Sequence, residues 1–347
     1  MKAITSLLQE FCEVNDMRNY NVAVVGATGL VGSTFLKVLK EYNFPIKNLT
    51  LFASERSAGK IINYDGKDYT VQKLEKGCFD GVEIALFSAG GKISEEWAPE
   101  AEKSGAVVID NSSAWRMASD CALIVPEINL NAFDNARKIV ANPNCSTIQS
   151  VLPLKPLNEK FGLKRVVYST YQAVSGSGQK GKDDLIRTLK GEEPQFYPYN
   201  ISQTCIPHID VFTDNGYTKE EIKMVNETRK ILNMPSLPVS ATCVRVPVLN
   251  AHAVSIMVEL DKPFTLEEVK EAFASQQGIV VVDDPANLKY PVSTIANGND
   301  AVYVGRIRKD LSCENGILFY AVSDNIRKGA AANAVQIAEA LIKADKI

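Results

Sequence analysis

The chain has 347 residues, long enough for two domains of ordinary size, each with its own core. At 46% hydrophobic and 23% charged residues it has the make-up of a soluble globular protein, which excludes a disordered or fibrous one. A net charge of −3 and a pI near 5.7 leave no electrostatic footprint for nucleic acid or an anionic membrane, so any anionic ligand must be held by a few placed cations.

Residues 1–19 contain Glu10, Glu13 and Asp16 and lack an apolar h-region, so they read as a short helical extension, not a signal or transit peptide. No run approaches the length needed to span a bilayer, and the cytoplasm is the expected compartment. Asn21-Val22-Ala23-Val24-Val25 is a buried-strand run. It leads directly into Gly26-Ala27-Thr28-Gly29-Leu30-Val31-Gly32 and an amphipathic helix over residues 33–42. Glycines in that position allow a tight turn, close approach of a pyrophosphate and packing of helix on strand, so a phosphate-binding loop is expected, although the spacing is GxxGxxG.

The next strand, Leu49-Thr50-Leu51-Phe52, ends in Ala53-Ser54-Glu55-Arg56-Ser57-Ala58-Gly59. An NAD site wants a carboxylate there for the ribose hydroxyls, while the 2′-phosphate of NADP wants hydroxyls and an Arg. Ser54, Arg56 and Ser57 supply the second set and favour NADP; Glu55 is expected to face solvent. Further units follow: a strand over 82–87 with Ser88-Ala89-Gly90-Gly91 behind it, a helix over 94–104, then Ala106-Val107-Val108-Ile109-Asp110. This alternation predicts an α/β fold that opens with a Rossmann-like, doubly wound, mostly parallel sheet. Ser88, Gly90, Asn111-Ser112-Ser113 and the turn at residue 145 then share the crevice side. Arg116 is either a cation within reach of that crevice or a solvated surface Arg.

Asn142-Pro143-Asn144-Cys145-Ser146-Thr147 closes the apolar run 139–141 and opens a periodic run from Ile148. Asn142-Pro143 writes a bend into the chain. A thiol between a strand and a helix N-terminus meets free N–H groups and the positive end of the helix dipole, both of which favour the thiolate. Cys145 is therefore the candidate nucleophile, although Cys is also a common small core residue. The seven cysteines are odd in number and scattered with no CxxC pair, which indicates neither a disulfide framework nor a zinc site, and no metal is expected.

From residue 163 the runs lengthen and alternate with period two, over 165–174, 239–248, 252–260, 301–308 and 317–322. They predict an α+β second domain with a half-buried, largely antiparallel sheet, one face of which needs covering by helices or by another subunit. Helices are expected over 182–189, 219–232 and 266–274. Ser175-Gly176-Ser177-Gly178-Gln179-Lys180-Gly181 reads as a flexible loop behind the strand that carries Gln172, and residues 192–207 as an extended arm or subunit contact. A last helix over 325–343 is Ala-rich on one side and is expected to pack closely on the first domain.

A Cys nucleophile needs a proton partner, and the chain has only two histidines, His208 and His252. His252 opens a strand; a tight turn near Val248-Leu249 would set it opposite Arg245, whose guanidinium suits a bidentate carboxylate clamp. A satisfied structural histidine is the bland reading. Glu220 and Lys223 share a helical face and could meet an ammonium and a phosphate, or form an ordinary surface pair.

As a set these residues resemble the aspartate-β-semialdehyde dehydrogenase family, over almost the whole chain from Asn21 to Lys343. The resemblance rests on the motifs 26–32, 53–59, 110–116 and 142–147, Gln172 with Ser175-Gly176-Ser177-Gly178, Glu220-Glu221-Ile222-Lys223, Arg245 with His252, and 324–331. It implies an NADP-dependent oxidoreductase that reduces β-aspartyl phosphate to aspartate semialdehyde through a Cys thioester, releasing phosphate, in the pathway to lysine (by way of diaminopimelate), methionine and threonine. It implies Cys145 as nucleophile, His252 as acid/base and Gln172 as an orienting partner. Arg245 would take the α-carboxylate and Glu220 the ammonium; Arg116, Lys223 and Asn144 would hold phosphate, with Ser175 and Gly176 beside the substrate. Asn325 would help seat the nicotinamide. It further implies residues 20–146 with 325–347 as the NADP-binding domain, residues 147–324 as the catalytic and dimerisation domain, and a homodimer or tetramer. The competing readings are a related acyl-phosphate reductase, such as N-acetyl-γ-glutamyl-phosphate reductase, and a non-catalytic NADP-binding sensor.

Overall fold

The computed structural model describes residues 18–347, so the helical extension expected at the N-terminus lies, up to residue 17, outside the described residues. The chain alternates β1 (Tyr20–Val25), α1 (Leu30–Glu41) and β2 (Ile46–Phe52). A small antiparallel hairpin, β3 (Ile61–Tyr64) and β4 (Lys67–Thr70), follows, then β5 (Ile84–Phe87), α2 (Gly91–Lys103), β6 (Val107–Asp110), β7 (Ala122–Leu123) and β8 (Ile139–Ala141). The strands order as β2-β1-β5-β6-β8-β7, every neighbouring pair parallel. Because a parallel sheet is covered on both faces, its strands are apolar at consecutive positions, and all four residues of β5 and all four of β6 are buried.

The second half runs through α3 (Cys145–Val151), α4 (Leu154–Phe161), β9 (Leu163–Gln172), α5 (Gly178–Leu189), α6 (Lys219–Ile231), β10 (Val239–Arg245) and β11 (His252–Leu260). It continues with α7 (Leu266–Ser275), β12 (Ile279–Val281), β13 (Val302–Lys309) and β14 (Gly316–Ser323). Its sheet orders as β10-β9-β11-β14-β13-β12 and is mixed: the three central pairings are antiparallel and the two outer ones, β10 with β9 and β12 with β13, are parallel. The inner face packs on a core of Val166, Tyr168, Ile256, Val258 and Phe319 under the helices. The outer face leaves Tyr171 exposed and Met257, Leu318 and Tyr320 half-buried.

Two expectations are corrected. Residues 239–260 do not form a hairpin: β9 lies between β10 and β11, and the connection 246–251 crosses over its end. Nor are residues 175–181 a flexible loop. Val174–Ser177 is a 3-10 turn leading directly into α5, Ser175 is buried, and a Cβ on Gly181 would stand 2.5 Å from the Val174 carbonyl and 2.6 Å from the Tyr197 hydroxyl. Gly181 serves close packing against the arm, whose residues 195 and 197 donate backbone N–H groups to the buried Asp184 carboxylate.

The chain ends with a π-type turn (Arg327–Ala331) and α8 (Ala332–Lys343), which returns to the first domain. Ala334, Val335, Ile337, Ala338 and Leu341 share one apolar cluster with β1, β2, β5 and α1. Among the described residues no helix is long and apolar enough to cross a membrane.

Candidate active site

The site forms where the two sheets meet. Asp110 and Ala141 end neighbouring parallel strands, and past Asn142 the chain turns from β8 into α3 with Cys145 as its first residue. Asn144 is the N-cap: its side-chain oxygen accepts the N–H groups of Ser146 (2.9 Å) and Thr147 (3.2 Å), fixing the turn that presents the thiol. The π-type turn packs so closely that a Cβ on Gly329 would lie 2.9 Å from that of Cys145.

Opposite this turn stand three residues at one level of the second sheet. Arg245 pairs in register with Gln172, and because Ala253 pairs with Tyr171, His252 falls beside Gln172 on its other side. Arg245 and His252 are thus brought together, but across β9. Arg245 donates from Nη1 to the Ala173 carbonyl at 2.7 Å, and the Ala173 N–H donates to His252 Nδ1 at 2.9 Å. Acceptance at Nδ1 puts the proton of the neutral ring on Nε2, which has no partner among the described residues. Burial first, and the Arg245 charge second, hold the His252 pKa well below its ordinary value, so the imidazole is neutral. Gly176 crosses directly over both: a Cβ there would lie 2.8 Å from Arg245 Nη1 and 3.0 Å from His252 Nε2.

On the third side α6 contributes Glu220, whose Oε1 accepts from Asn144 Nδ2 (2.9 Å) and Gln172 Nε2 (3.3 Å). Its Oε2 pairs with Lys223 at 3.3 Å, and Lys223 also binds Asp210 at 2.7 Å. Burial opposes the charge on Lys223, yet Glu220 and Asp210 outweigh it and raise its pKa. Arg116 is buried, not a surface residue. Its Nε donates to the Asn142 carbonyl (2.9 Å), Nη1 to Glu227 (3.1 Å) and Nη2 to the Asn111 carbonyl (3.0 Å).

A cavity of about 470 Å³ is lined by Arg116, Asn144, Cys145, Gln172, Ser175, Gly176, Glu220, Lys223, Arg245 and Asn325, with Leu30 and Val31 at its edge. His252, fully buried behind Gly176, does not line it. Ser175 and Asn325 bond each other, and Asn325 Oδ1 also accepts the Ala251 N–H at 3.0 Å. The resting thiol differs from the thiolate expected at a helix N-terminus. Burial first, then Glu220, push Cys145 up to about 11, against the opposing pull of Arg245 and Arg116.

A second cleft at the ends of β1, β2 and β5 is lined by Gly26, Thr28, Gly29, Ser54, Ser88 and Ala89, among others. Gly26 needs its φ of +90°, and a Cβ on it would sit 2.3 Å from the Ser88 carbonyl. Gly32 supports the loop from beneath, since its Cβ would stand 2.0 Å from the Gly26 carbonyl. No side chain caps the N-terminus of α1, which leaves its first N–H groups for an anion. This bare helix end and glycine cradle fit a dinucleotide pyrophosphate. Ser54, Glu55 and Arg56 are exposed beside the cleft and Ser57 is buried. Ala27 is buried, and Gly90 caps α2 at the crevice. Among the described residues no group of His, Cys, Asp or Glu could hold a metal ion.

Sequence reasoning missed Glu227 and Asp210. Glu227 lies seven residues after Glu220 on the same face of α6, a spacing that could have exposed it.

A parallel dinucleotide-type domain joined to a mixed-sheet domain, with a thiol at the junction, defines the semialdehyde dehydrogenase class. Accordingly, residues 21–136 match the family model described as semialdehyde dehydrogenase, NAD binding domain, and residues 154–328 match semialdehyde dehydrogenase, dimerisation domain. Aspartate-semialdehyde dehydrogenase of Aquifex aeolicus is 55% identical, over 93% of this chain and 98% of the relative. A crystal structure of aspartate semialdehyde dehydrogenase II of Vibrio cholerae complexed with ASA superposes with a TM-score of 0.90 at 47% identity, covering 94% of this chain and 99% of that one. The Candida albicans enzyme with NADP gives 0.76 at 26% identity, covering 95% and 100%. The chain belongs to the aspartate-semialdehyde dehydrogenase family.

Proposed function

We propose that this chain catalyses the NADPH-dependent reductive dephosphorylation of β-aspartyl phosphate to aspartate semialdehyde, a step of amino-acid biosynthesis leading to lysine, methionine and threonine. The observation that carries the reading is the convergence in one cavity of a thiol, a guanidinium and a carboxylate: Cys145, Arg245 and Glu220. An α-carboxylate and an ammonium are the two charges of the aspartyl skeleton, and an N-acetylated substrate would leave Glu220 without a cation.

In this mechanism Arg245 and Glu220 orient the substrate, and Arg116, Lys223 and Asn144 receive its phosphoryl oxygens. Cys145 attacks the acyl carbon: its sulfur–carbon bond forms as the carbon–oxygen bond to phosphate breaks, and the thiol proton leaves with the phosphate. The Cys145 N–H, which is not among those engaged by the Asn144 cap, is the proposed oxyanion donor, a contribution of about 3 kcal/mol. His252 lies behind Gly176 and does not reach this oxygen directly, so its proposed acid/base role requires Gly176 to move aside, while Gln172 orients the carbonyl. The Gly26–Gly32 loop, Ser54, Arg56, Ser57, Ser88, Gly90 and Asn325 are the proposed holders of NADPH, which when bound supplies hydride to the thioester carbon. Collapse of the adduct returns Cys145 as a thiolate and releases the aldehyde.

We further assign residues 20–146 with 325–347 to cofactor binding and residues 147–324 to catalysis and dimerisation. The partly exposed outer face of the second sheet is the proposed homodimer contact, and a tetramer built from two such pairs is the larger assembly it allows. The cytoplasm is the proposed compartment, in keeping with the free thiols of the described cysteines. The test is turnover of aspartate semialdehyde with phosphate and NADP. No turnover there, with turnover of an acetylated glutamyl analogue, would reverse the reading. In the same assay Arg56→Ala should weaken NADP at least tenfold more than NAD, and equal weakening would remove the 2′-phosphate assignment.

A further inference from the structure

Most polar groups around the cavity have a role toward substrate or cofactor. Glu227 has none, yet it is 1% exposed and both of its oxygens are committed to residues that do. Oε1 takes Arg116 Nη1 at 3.1 Å, and Oε2 takes the backbone N–H of Asn144 at 2.7 Å. Asn144 immediately precedes Cys145 and caps its helix, so one carboxylate ties the guanidinium to the nucleophile turn. A buried ion pair is an expensive way to hold two segments together, and well-packed apolar residues would usually do so at least as well. The arrangement therefore calls for a reason beyond stability.

That reason lies in the donors left on Arg116. Five N–H bonds are available; the Asn142 carbonyl, Glu227 and the Asn111 carbonyl use one each, on Nε, Nη1 and Nη2. Among the described residues no acceptor takes the remaining N–H on each terminal nitrogen, which together make a two-pronged donor on the cavity wall suited to two oxygens of a tetrahedral oxyanion. The two carbonyls hold the plane on the first-domain side; Glu227, on α6, is the only one of the three acceptors that comes from the second domain.

We propose that Glu227 is a positioning residue that acts through Arg116 and Asn144, setting the distance between the phosphoryl-binding guanidinium and the Cys145 turn. This rests on the function proposed above. Its consequence is selective: removing the carboxylate loosens the phosphate-binding geometry and leaves untouched the dinucleotide cleft, which neither Arg116, Asn144 nor Glu227 lines.

The test is steady-state kinetics of the full-length Glu227→Gln enzyme in the phosphorylating direction, with inorganic phosphate varied. The proposal predicts a phosphate KM raised about tenfold or more with the NADP KM within twofold of wild type. It also predicts that the effect shrinks severalfold in an Arg116→Ala background, where only the tie to Asn144 is left to lose. Glu227→Asp keeps the charge but shortens the reach by one methylene, so it cannot hold both partners; it should raise the phosphate KM several-fold even if Glu227→Gln fails to fold. An unchanged phosphate KM in either folded variant overturns the proposal, as does an effect equally large without Arg116. A wild-type enzyme that turns over normally beside such variants sinks only the role of Glu227. A wild type with no turnover on these substrates takes the underlying function down with it.

Discussion

At Cys145 two opposing influences meet. The N-terminus of α3 and two guanidinium groups favour a thiolate, while burial and the nearby Glu220 carboxylate favour the thiol, and the second pair prevails at about 11. Alkylation of the free enzyme by iodoacetamide should therefore accelerate about tenfold per pH unit between 7 and 9, because only the thiolate reacts. Neutralising an adjacent negative charge lowers a thiol's pKa, so Glu220→Gln should shift that profile to lower pH while raising the KM for the semialdehyde. A profile unmoved or shifted upward would contradict this role of Glu220. A substrate ammonium that neutralises Glu220 acts in the same direction, which links binding to activation of the nucleophile. The residue types at the turn 142–147 and at Gln172, Arg245 and Glu220 are legible because local sequence carries the turn, the strand ends and the helix. The resting protonation of Cys145 is not legible, because it depends on a carboxylate 75 positions away in the chain.

Among the elements, α6 does most to position the site. It presents Glu220, Lys223 and Glu227 along one face, and its start is fixed by a reciprocal cap. Thr218 Oγ1 accepts the Glu221 N–H at 3.3 Å, and Glu221 Oε2 accepts the Thr218 N–H at 2.7 Å. The other Glu221 oxygen takes the Cys243 N–H at 3.0 Å, tethering the helix to the edge strand β10. Glu221→Ala should cost about 1–3 kcal/mol in urea unfolding, combining the lost cap with an orphaned buried donor. A loss below about 0.5 kcal/mol would show that the tether is idle. The helix itself is legible from apolar periodicity and the Thr-x-x-Glu signal. The strand order around it is not, because inserting β9 between β10 and β11 is a non-local choice that leaves each strand's own pattern unchanged. For the same reason residues 175–181 read as flexible: their glycines signal a turn equally well whether the neighbours are solvent or the Tyr197 ring.

For the whole molecule, the junction between the two sheets is closed by the returning C-terminal segment. Lys328 is fully buried and bonds Glu127 (2.5 Å), Gln336 (2.7 Å) and Asn333 (3.2 Å), while Asn333 donates to Asn142 at 2.7 Å, three residues before the nucleophile. Lys328→Met should destabilise the protein by about 3–5 kcal/mol, because it strands the buried Glu127 carboxylate. Adding Glu127→Gln should recover a substantial part. Equal instability of the single and double variants, by denaturant unfolding, would mean that packing, not charge, holds this seam. That the Ala-rich helix packs closely follows from its small side chains. The route by which it returns to the first sheet is set only once both domains have formed.

Catalysis turns on a covalent bond to one sulfur. Intact-protein mass spectrometry after mixing with β-aspartyl phosphate in the absence of NADPH should show one aspartyl adduct per chain. Peptide mapping should place that adduct on Cys145, and added inorganic phosphate should discharge it. An adduct on any other cysteine, or none under conditions where adding NADPH gives turnover, would contradict the account.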